Sequence, residues 1–249
     1  MQTSADTIAL IPARAGSEGV PRKNQLDLCG VPLVGHSLAF ANSVSRIAEV
    51  FLSTDSAEIA EVGRSFGASI PFLRPSELAA SNSPTAATVR HFIGQQRKEL
   101  VGGVKYLALL EPTSPIRSVP LLDAAIEALD DNPTWDGVVS VDQPALSPLW
   151  VGVQIDAEGR LTRHPLLRNE TVSRRQDATP YYRVNGNFFV WRLNYAAALP
   201  DAWLHAGKFG GFKIPQELAY TIDTPTDFAV VRAIMEAGLV ELPWLIESS

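Results

Sequence analysis

Residues 12 to 24 read Pro-Ala-Arg-Ala-Gly-Ser-Glu-Gly-Val-Pro-Arg-Lys-Asn and follow directly on the apolar run Thr7 to Ile11. A strand that empties into two glycines, two prolines and three cations has the composition of a loop that holds phosphate. Gly16 and Gly19 carry no side chain to keep an anion away from backbone N–H groups, and Arg14, Arg22 and Lys23 supply charge. The alternative is a basic surface loop between a strand and a helix. The pattern is neither a P-loop, which closes on Gly-Lys-Ser/Thr, nor Gly-x-Gly-x-x-Gly. Farther on, Glu111 ends the most strand-like run of the chain, Val104 to Leu110. A carboxylate there is costly unless it faces a cleft, a cation or a metal, and the alternative is a helix-capping or surface role. The stretch from Tyr220 to Asp227 reads as a strand end followed by Pro225 at a helix start. Asp227 falls in the first helical turn, where it neutralises orphan N–H groups, whereas Asp223 falls in the loop and is the better candidate for Mg²⁺.

The elements that must position these groups alternate. Helices are expected at Pro32 to Ser45, Ser56 to Phe66, Pro84 to Leu100, Val119 to Asp131 and Pro225 to Ala237, with Pro32 at a first helical position. Strands are expected at Glu49 to Thr54, Ser69 to Leu73 and Gly137 to Val141. This βαβ order predicts an α/β fold with a parallel sheet, whose ligands sit beyond the carboxyl ends of the strands. Ser53-Thr54-Asp55 can cap the helix that follows, and the small polar loop from Arg74 to Thr88 either binds a ligand or caps its helix through Ser83. From 142 to 183 the regular order gives way to prolines, short extended pieces and Arg168, Arg174 and Arg175 leading to Tyr181-Tyr182-Arg183. That segment reads as an insertion packing on a neighbouring subunit, the alternative being a loose surface excursion. Asn185-Gly186 reads as a turn that can take positive φ.

Of 249 residues, 46% are hydrophobic and 19% charged, which excludes a disordered chain and fits one domain over 1–249. A formal charge of −6 argues against a nucleic-acid-coating protein, so the basic clusters are aimed at a small anion. Neither a secretory leader nor a membrane span is evident, and a cytoplasmic location is expected. Cys29 is the only cysteine, which rules out an internal disulfide, and it reads as a packed thiol. The four histidines, His36, His91, His164 and His205, read as structural or surface residues.

Six stretches stand in a familiar order: Ile11-Pro12-Ala13-Arg14 through Pro21-Arg22-Lys23-Asn24, Ser53-Thr54-Asp55, Leu73-Arg74-Pro75 through Glu77-Leu78-Ala79, Pro112-Thr113-Ser114-Pro115 with Arg117, Arg174-Arg175-Gln176-Asp177 through Asn185-Gly186, and Ile222-Asp223-Thr224-Pro225. Over about residues 7 to 240 the chain resembles the acylneuraminate cytidylyltransferases, or CMP-sialic acid synthetases, a family that includes enzymes for legionaminic and pseudaminic acids. The resemblance implies a Rossmann-like α/β fold with a mostly parallel sheet, and a homodimer with the 142–183 segment as its dimerisation arm. It also implies Mg²⁺-dependent transfer of CMP from CTP to the anomeric hydroxyl of a nonulosonic 2-keto sugar acid, releasing pyrophosphate. On this reading Arg14, Ala15, Gly16, Ser17, Lys23 and Asn24 hold the triphosphate and ribose, and Arg74, Ser83 and Thr85 read the cytosine. Glu111, Arg175, Gln176, Asn185 and Gly186 line the sugar-acid pocket, where a guanidinium pairs with the carboxylate. The catalytic set is Arg14, Lys23, Glu111 and Asp223.

Three positions depart from the family pattern. Glu18 stands where a lysine is usual, Glu111 where a glutamine is usual, and Thr221 where the first aspartate of an Asp-x-Asp metal pair is common. One hypothesis joins two of them: Glu111 supplies the carboxylate that Thr221 lacks, so that Glu111 and Asp223 together hold Mg²⁺. The departures also leave open a relative that uses another nucleotide or sugar acid, or one that binds without catalysing.

Overall fold

Thr7–Pro12 forms β1, and Ile8, Ala9, Leu10 and Ile11 in it are each no more than 1% exposed. A strand buried on both faces needs a layer on each side, and the helices supply one. The computed structural model describes residues 5–17, 19–96, 98–100, 103–147, 151–163 and 179–248. In chain order β1 is followed by the short pair β2 (Asp27–Leu28) and β3 (Val31–Pro32), helix α1 (Leu33–Ser43), β4 (Ile47–Ser53), α2 (Ala57–Ser65) and α3 (Thr85–Gln96). Then come β5 (Tyr106–Leu109), α4 (Val119–Asp131), β6 (Gly137–Asp142), β7 (Val153–Ile155), β8 (Leu161–Arg163) and β9 (Arg183–Arg192). The last elements labelled are α5 (Leu193–Ala197), β10 (Phe209–Lys213) and α6 (Pro225–Glu236).

The central sheet has six strands in the order β10-β6-β9-β5-β1-β4. β4, β1 and β5 are mutually parallel, as are β10 and β6, and β9 runs antiparallel between the two groups. Alternation along β1 and β5 splits the core. Ala9, Ile11, Tyr106 and Ala108 pack with Val34 and Leu38 of α1 and Leu122 and Ile126 of α4, whereas Ile8, Leu10, Leu107 and Leu109 pack with Val89, Phe92 and Ile93 of α3. The expected α/β class is therefore present, with one antiparallel strand inserted.

At the amino ends of β1 and β5 the buried Asp6 takes ion pairs from Arg46 at 2.7 Å and Lys105 at 3.0 Å. Arg46 also reaches Asp130, which accepts the Tyr106 hydroxyl at 2.6 Å. Burial, with the charge of Asp130 beside it, pushes the Tyr106 phenol up to about 12. The charges of this network are compensated within the protein, at the end of the sheet where no site is expected.

Several sequence readings change. Ser69 to Leu73 makes only an isolated parallel bridge, Phe51 to Ser69, because Pro71 has no N–H to extend a ladder. Tyr220 to Asp223 forms no strand, although the Ile222 N–H donates to the Thr113 carbonyl at 2.8 Å. Pro32 precedes α1 in extended conformation instead of opening it. Asn185-Gly186 lies inside β9, opposite an irregularity between Val139 and Val141, and neither residue has positive φ. Cys29 is exposed at φ 54° on the β2–β3 turn, so it is not a packed thiol. Within the insertion, β7 and β8 pair as a hairpin, with Ile155 opposite Leu161. Trp150, Arg168, His164, Arg174, Arg175, Gln176 and Asp177 lie outside the described residues, as does Glu18.

Candidate active site

The loop after β1 is held from three directions. Asn24, buried, donates its amide to the Arg14 carbonyl at 2.9 Å, and Asp55 accepts the Ala15 N–H at 2.8 Å. Asp55 is thus a brace for the loop; the cap of α2 is Ser56, whose hydroxyl accepts the Ile59 N–H. The third contact is made by Gly19. A Cβ there would stand 2.1 Å from the Asp223 carbonyl oxygen, so glycine is required for the loop to cross the chain ahead of α6, and Gly19 also lines the cleft. Arg22 leaves the cation set, because it is turned outward onto Glu58 at 2.7 Å. Ala15, with its N–H already taken by Asp55, and Gly16 are exposed and off the cleft.

What remains converges on a cleft of about 480 Å³ at the carboxyl ends of β1, β4 and β5. Arg14, Ser17, Lys23 and Asn24 line it from the loop, Arg74, Ser83 and Thr85 from the segment before α3, and Glu111 and Asp223 from the far wall. Thr88, Ser81 and Thr113 also line it; the Arg74 to Thr88 loop and the Pro112-Thr113-Ser114-Pro115 motif contain them, but the sequence assigns none of the three a role of its own. Thr88 lies one helical turn after Thr85, a spacing that would have found it.

Arg74 is buried, and donates to Thr88 Oγ1 at 3.2 Å and to the Ser53 carbonyl at 3.0 Å. Burial pushes its guanidinium pKa down; Asp55 opposes this and the nearby Arg14 adds to it. Two cations that repel each other across a polar cleft favour an anionic or acceptor-rich ligand between them.

Glu111 follows β5 and faces the cleft. No described residue hydrogen-bonds its carboxylate. Burial pushes this carboxyl above the usual range; Arg117 opposes the shift, Asp223 adds to it, and Lys23 opposes it. The Lys23 ammonium lies by this pair, 2.6 Å from the Ile222 carbonyl and 3.4 Å from Asp223 Oδ1. Two carboxyls whose charges disfavour each other, beside a polar cleft, suit a hard divalent cation. No group of three or more His, Cys, Asp or Glu surrounds one point among the described residues, so such a cation would draw its other ligands from substrate and water.

Arg117 fixes Glu111 from behind. It is fully buried, and donates to the Asn187 carbonyl at 2.7 Å, Ser37 Oγ at 2.9 Å and the Glu111 carbonyl at 2.6 Å. Burial pushes its pKa down to about 9, against the pull of Glu111. Gly186 covers the Glu111 carboxylate, since a Cβ would lie 2.8 Å from Oε2 and 3.1 Å from Ser114 Oγ. Asn185 is turned inward: its amide donates to Asp142 at 3.0 Å and its oxygen accepts from Ser140 at 2.6 Å. It is a bracket for β9, not a lining residue of the cleft. Asp227 caps α6 in a reciprocal box with Thr224, as its position predicts.

Residues 8–145 match the family model described as cytidylyltransferase. Over 92% of the chain, and 96% of the relative, the sequence is 33% identical to the CMP-N,N'-diacetyllegionaminic acid synthase of Legionella pneumophila. The pseudaminic acid cytidylyltransferase of Campylobacter jejuni is 26% identical over 93% of the chain and 97% of its own length. Among solved structures, a CMP:2-keto-3-deoxy-manno-octonic acid synthetase complexed with CTP superposes with a TM-score of 0.68 at 18% identity, covering 93% of this chain and 99% of that one. At that identity the match establishes a shared fold.

Proposed function

The chain belongs to the cytidylyltransferase family, and from that premise we propose that it transfers CMP from CTP to the anomeric hydroxyl of a nonulosonic, sialic-acid-like 2-keto sugar acid, as a cytoplasmic biosynthetic enzyme. The observation that carries this reading is the single cleft in which a cationic loop, an arginine-bearing polar pocket and two carboxylates meet. In the reaction the sugar hydroxyl oxygen forms a bond to the α-phosphorus, the bond to the bridging oxygen of the β-phosphate breaks, and the hydroxyl proton passes to solvent. Arg14 and Lys23 face the charge that builds on the leaving pyrophosphate, while Arg74, Ser83 and Thr85 orient the base. Asp223 and Glu111 are the residues that would hold Mg²⁺, which supplies charge neutralisation at the phosphates. Arg175 and Gln176 are assigned to the sugar carboxylate by resemblance alone. Pyrophosphate release, assayed with four nucleoside triphosphates against a panel of nonulosonic acids with and without Mg²⁺, is expected only with CTP and one or a few acids, and only with Mg²⁺. Release with another triphosphate, or binding without release, would overturn the assignment.

The homodimer belongs to the same proposal. The β7–β8 hairpin exposes Val153 at 55% and Ile155 and Leu161 at 71% each, and two strands alone are marginal in water. We assign this apolar face to a second copy of the chain. Wild type is expected to sediment as a dimer at micromolar concentration and the Ile155→Asp, Leu161→Asp double variant as a monomer; a monomeric wild type would refute it.

A further inference from the structure

The Lys23 ammonium is bonded to one of the two carboxylates assigned to the metal and to the carbonyl of the residue before it. Its shortest contact is to the Ile222 carbonyl at 2.6 Å, its second to Asp223 Oδ1 at 3.4 Å, and its side chain is only 13% exposed. Its charge also acts on Glu111, whose carboxylate has no hydrogen-bonding partner among the described residues. An ammonium and a divalent cation on the same oxygens disfavour each other, because their like charges repel at short range.

We propose that Lys23 and the divalent cation compete for the Asp223 carboxylate oxygens, and that the cation is admitted when a bound triphosphate draws the Lys23 ammonium across the cleft. Lys23 is then a lock on metal loading as well as a phosphate ligand. The backbone favours this exchange. Gly19 packs directly on the Asp223 carbonyl, so the loop carrying Lys23 and the corner carrying Asp223 are already in contact, and a side-chain swing is enough. Coupling of this kind is reciprocal, so metal and triphosphate bind better together than singly.

This inference rests on Asp223 and Glu111 as the cation's oxygens. Its test reads metal without nucleotide, so a protein that fails to transfer CMP can still pass it. Mn²⁺ binding to the free full-length protein, followed by electron paramagnetic resonance, is expected to tighten at least fivefold in Lys23→Met and in Lys23→Gln. Arg14→Met removes a charge from the same cleft but no contact to these oxygens, and is expected to change affinity less than twofold. Adding Asp223→Asn to Lys23→Met is expected to abolish the gain. Equal effects of the Lys23 and Arg14 variants would show a general charge effect and overturn the lock. Unchanged or weaker Mn²⁺ binding in both Lys23 variants would overturn it as well.

Discussion

Glu111→Gln is expected to raise the Mg²⁺ concentration for half-maximal turnover by about 10- to 100-fold, the range typical of losing a group that supports a metal site. The amide keeps the size of the side chain and its contact with Gly186 but removes the charge a divalent cation needs. Two further readouts separate this from a simple loss of fit. Burial holds the Glu111 carboxyl above the usual carboxylate range. In the wild type, Mg²⁺ activation is therefore expected to weaken as pH falls through that raised pKa, and in the variant this acid limb disappears. Stability moves the opposite way. A carboxyl whose folded pKa lies above its unfolded value binds more protons when folded, so its contribution to stability falls as pH rises through that window. Above the window the buried charge is a net cost, which the amide removes. Glu111→Gln should thus be more resistant to urea at pH 8 while being the poorer enzyme, a trade expected where a charge is kept for chemistry. An unchanged Mg²⁺ requirement would dispose of the role given to Glu111.

Arg117→Ala is expected to cost about 4 kcal/mol of folding stability. Two effects oppose each other. Burying a cation is costly, as the depression of its pKa to about 9 shows, and truncation relieves that. Truncation also strips the donor from the Asn187 carbonyl, at about 1–3 kcal/mol for a buried acceptor left unpaired, takes one of its donors from the Glu111 carbonyl, which keeps the Ser114 N–H at 3.1 Å, and leaves a cavity beside the Phe40 ring, over which the guanidinium sits at 5.6 Å. The second effect wins because the lost hydrogen bonds and the cavity lie in a fully buried site, where the removed volume is not refilled without moving the core. In a chain of this size the loss corresponds to a melting temperature lower by about 8 to 16 °C. Arg117→Lys keeps the charge but presents no planar fork to three acceptors, and is expected to recover only part of it. A urea-derived loss under 1 kcal/mol for Arg117→Ala would show that the fork is dispensable.

Much of this was legible in the residues. β1 is readable because its apolar run is continuous and ends in glycine, proline and cations, and α4 because Leu122, Ala125, Ile126 and Leu129 recur at helical spacing. Arg14, Ser17, Lys23, Asn24, Arg74, Ser83, Thr85, Glu111 and Asp223 stand out by motif and family likeness, and the fold gathers all nine in one cleft. Short runs interrupted by proline, such as Ser69 to Leu73, were misread, since strand propensity carries no information about whether a ladder partner is present.

The sequence by itself determined the order of elements, the mostly parallel α/β class and the cationic loop that lines the cleft, because each depends on spacing within a few residues. Only the tertiary structure decided which groups of that loop point inward. Arg22 and Lys23 are adjacent, yet one is turned out to Glu58 and the other is bound to the Ile222 carbonyl, 199 residues away. Asn185 and Gly186 are adjacent too, and β9 sends one side chain to Asp142 and lays the other residue over Glu111. Partners so distant in sequence are set by sheet order and strand register, which no local pattern of residue types encodes.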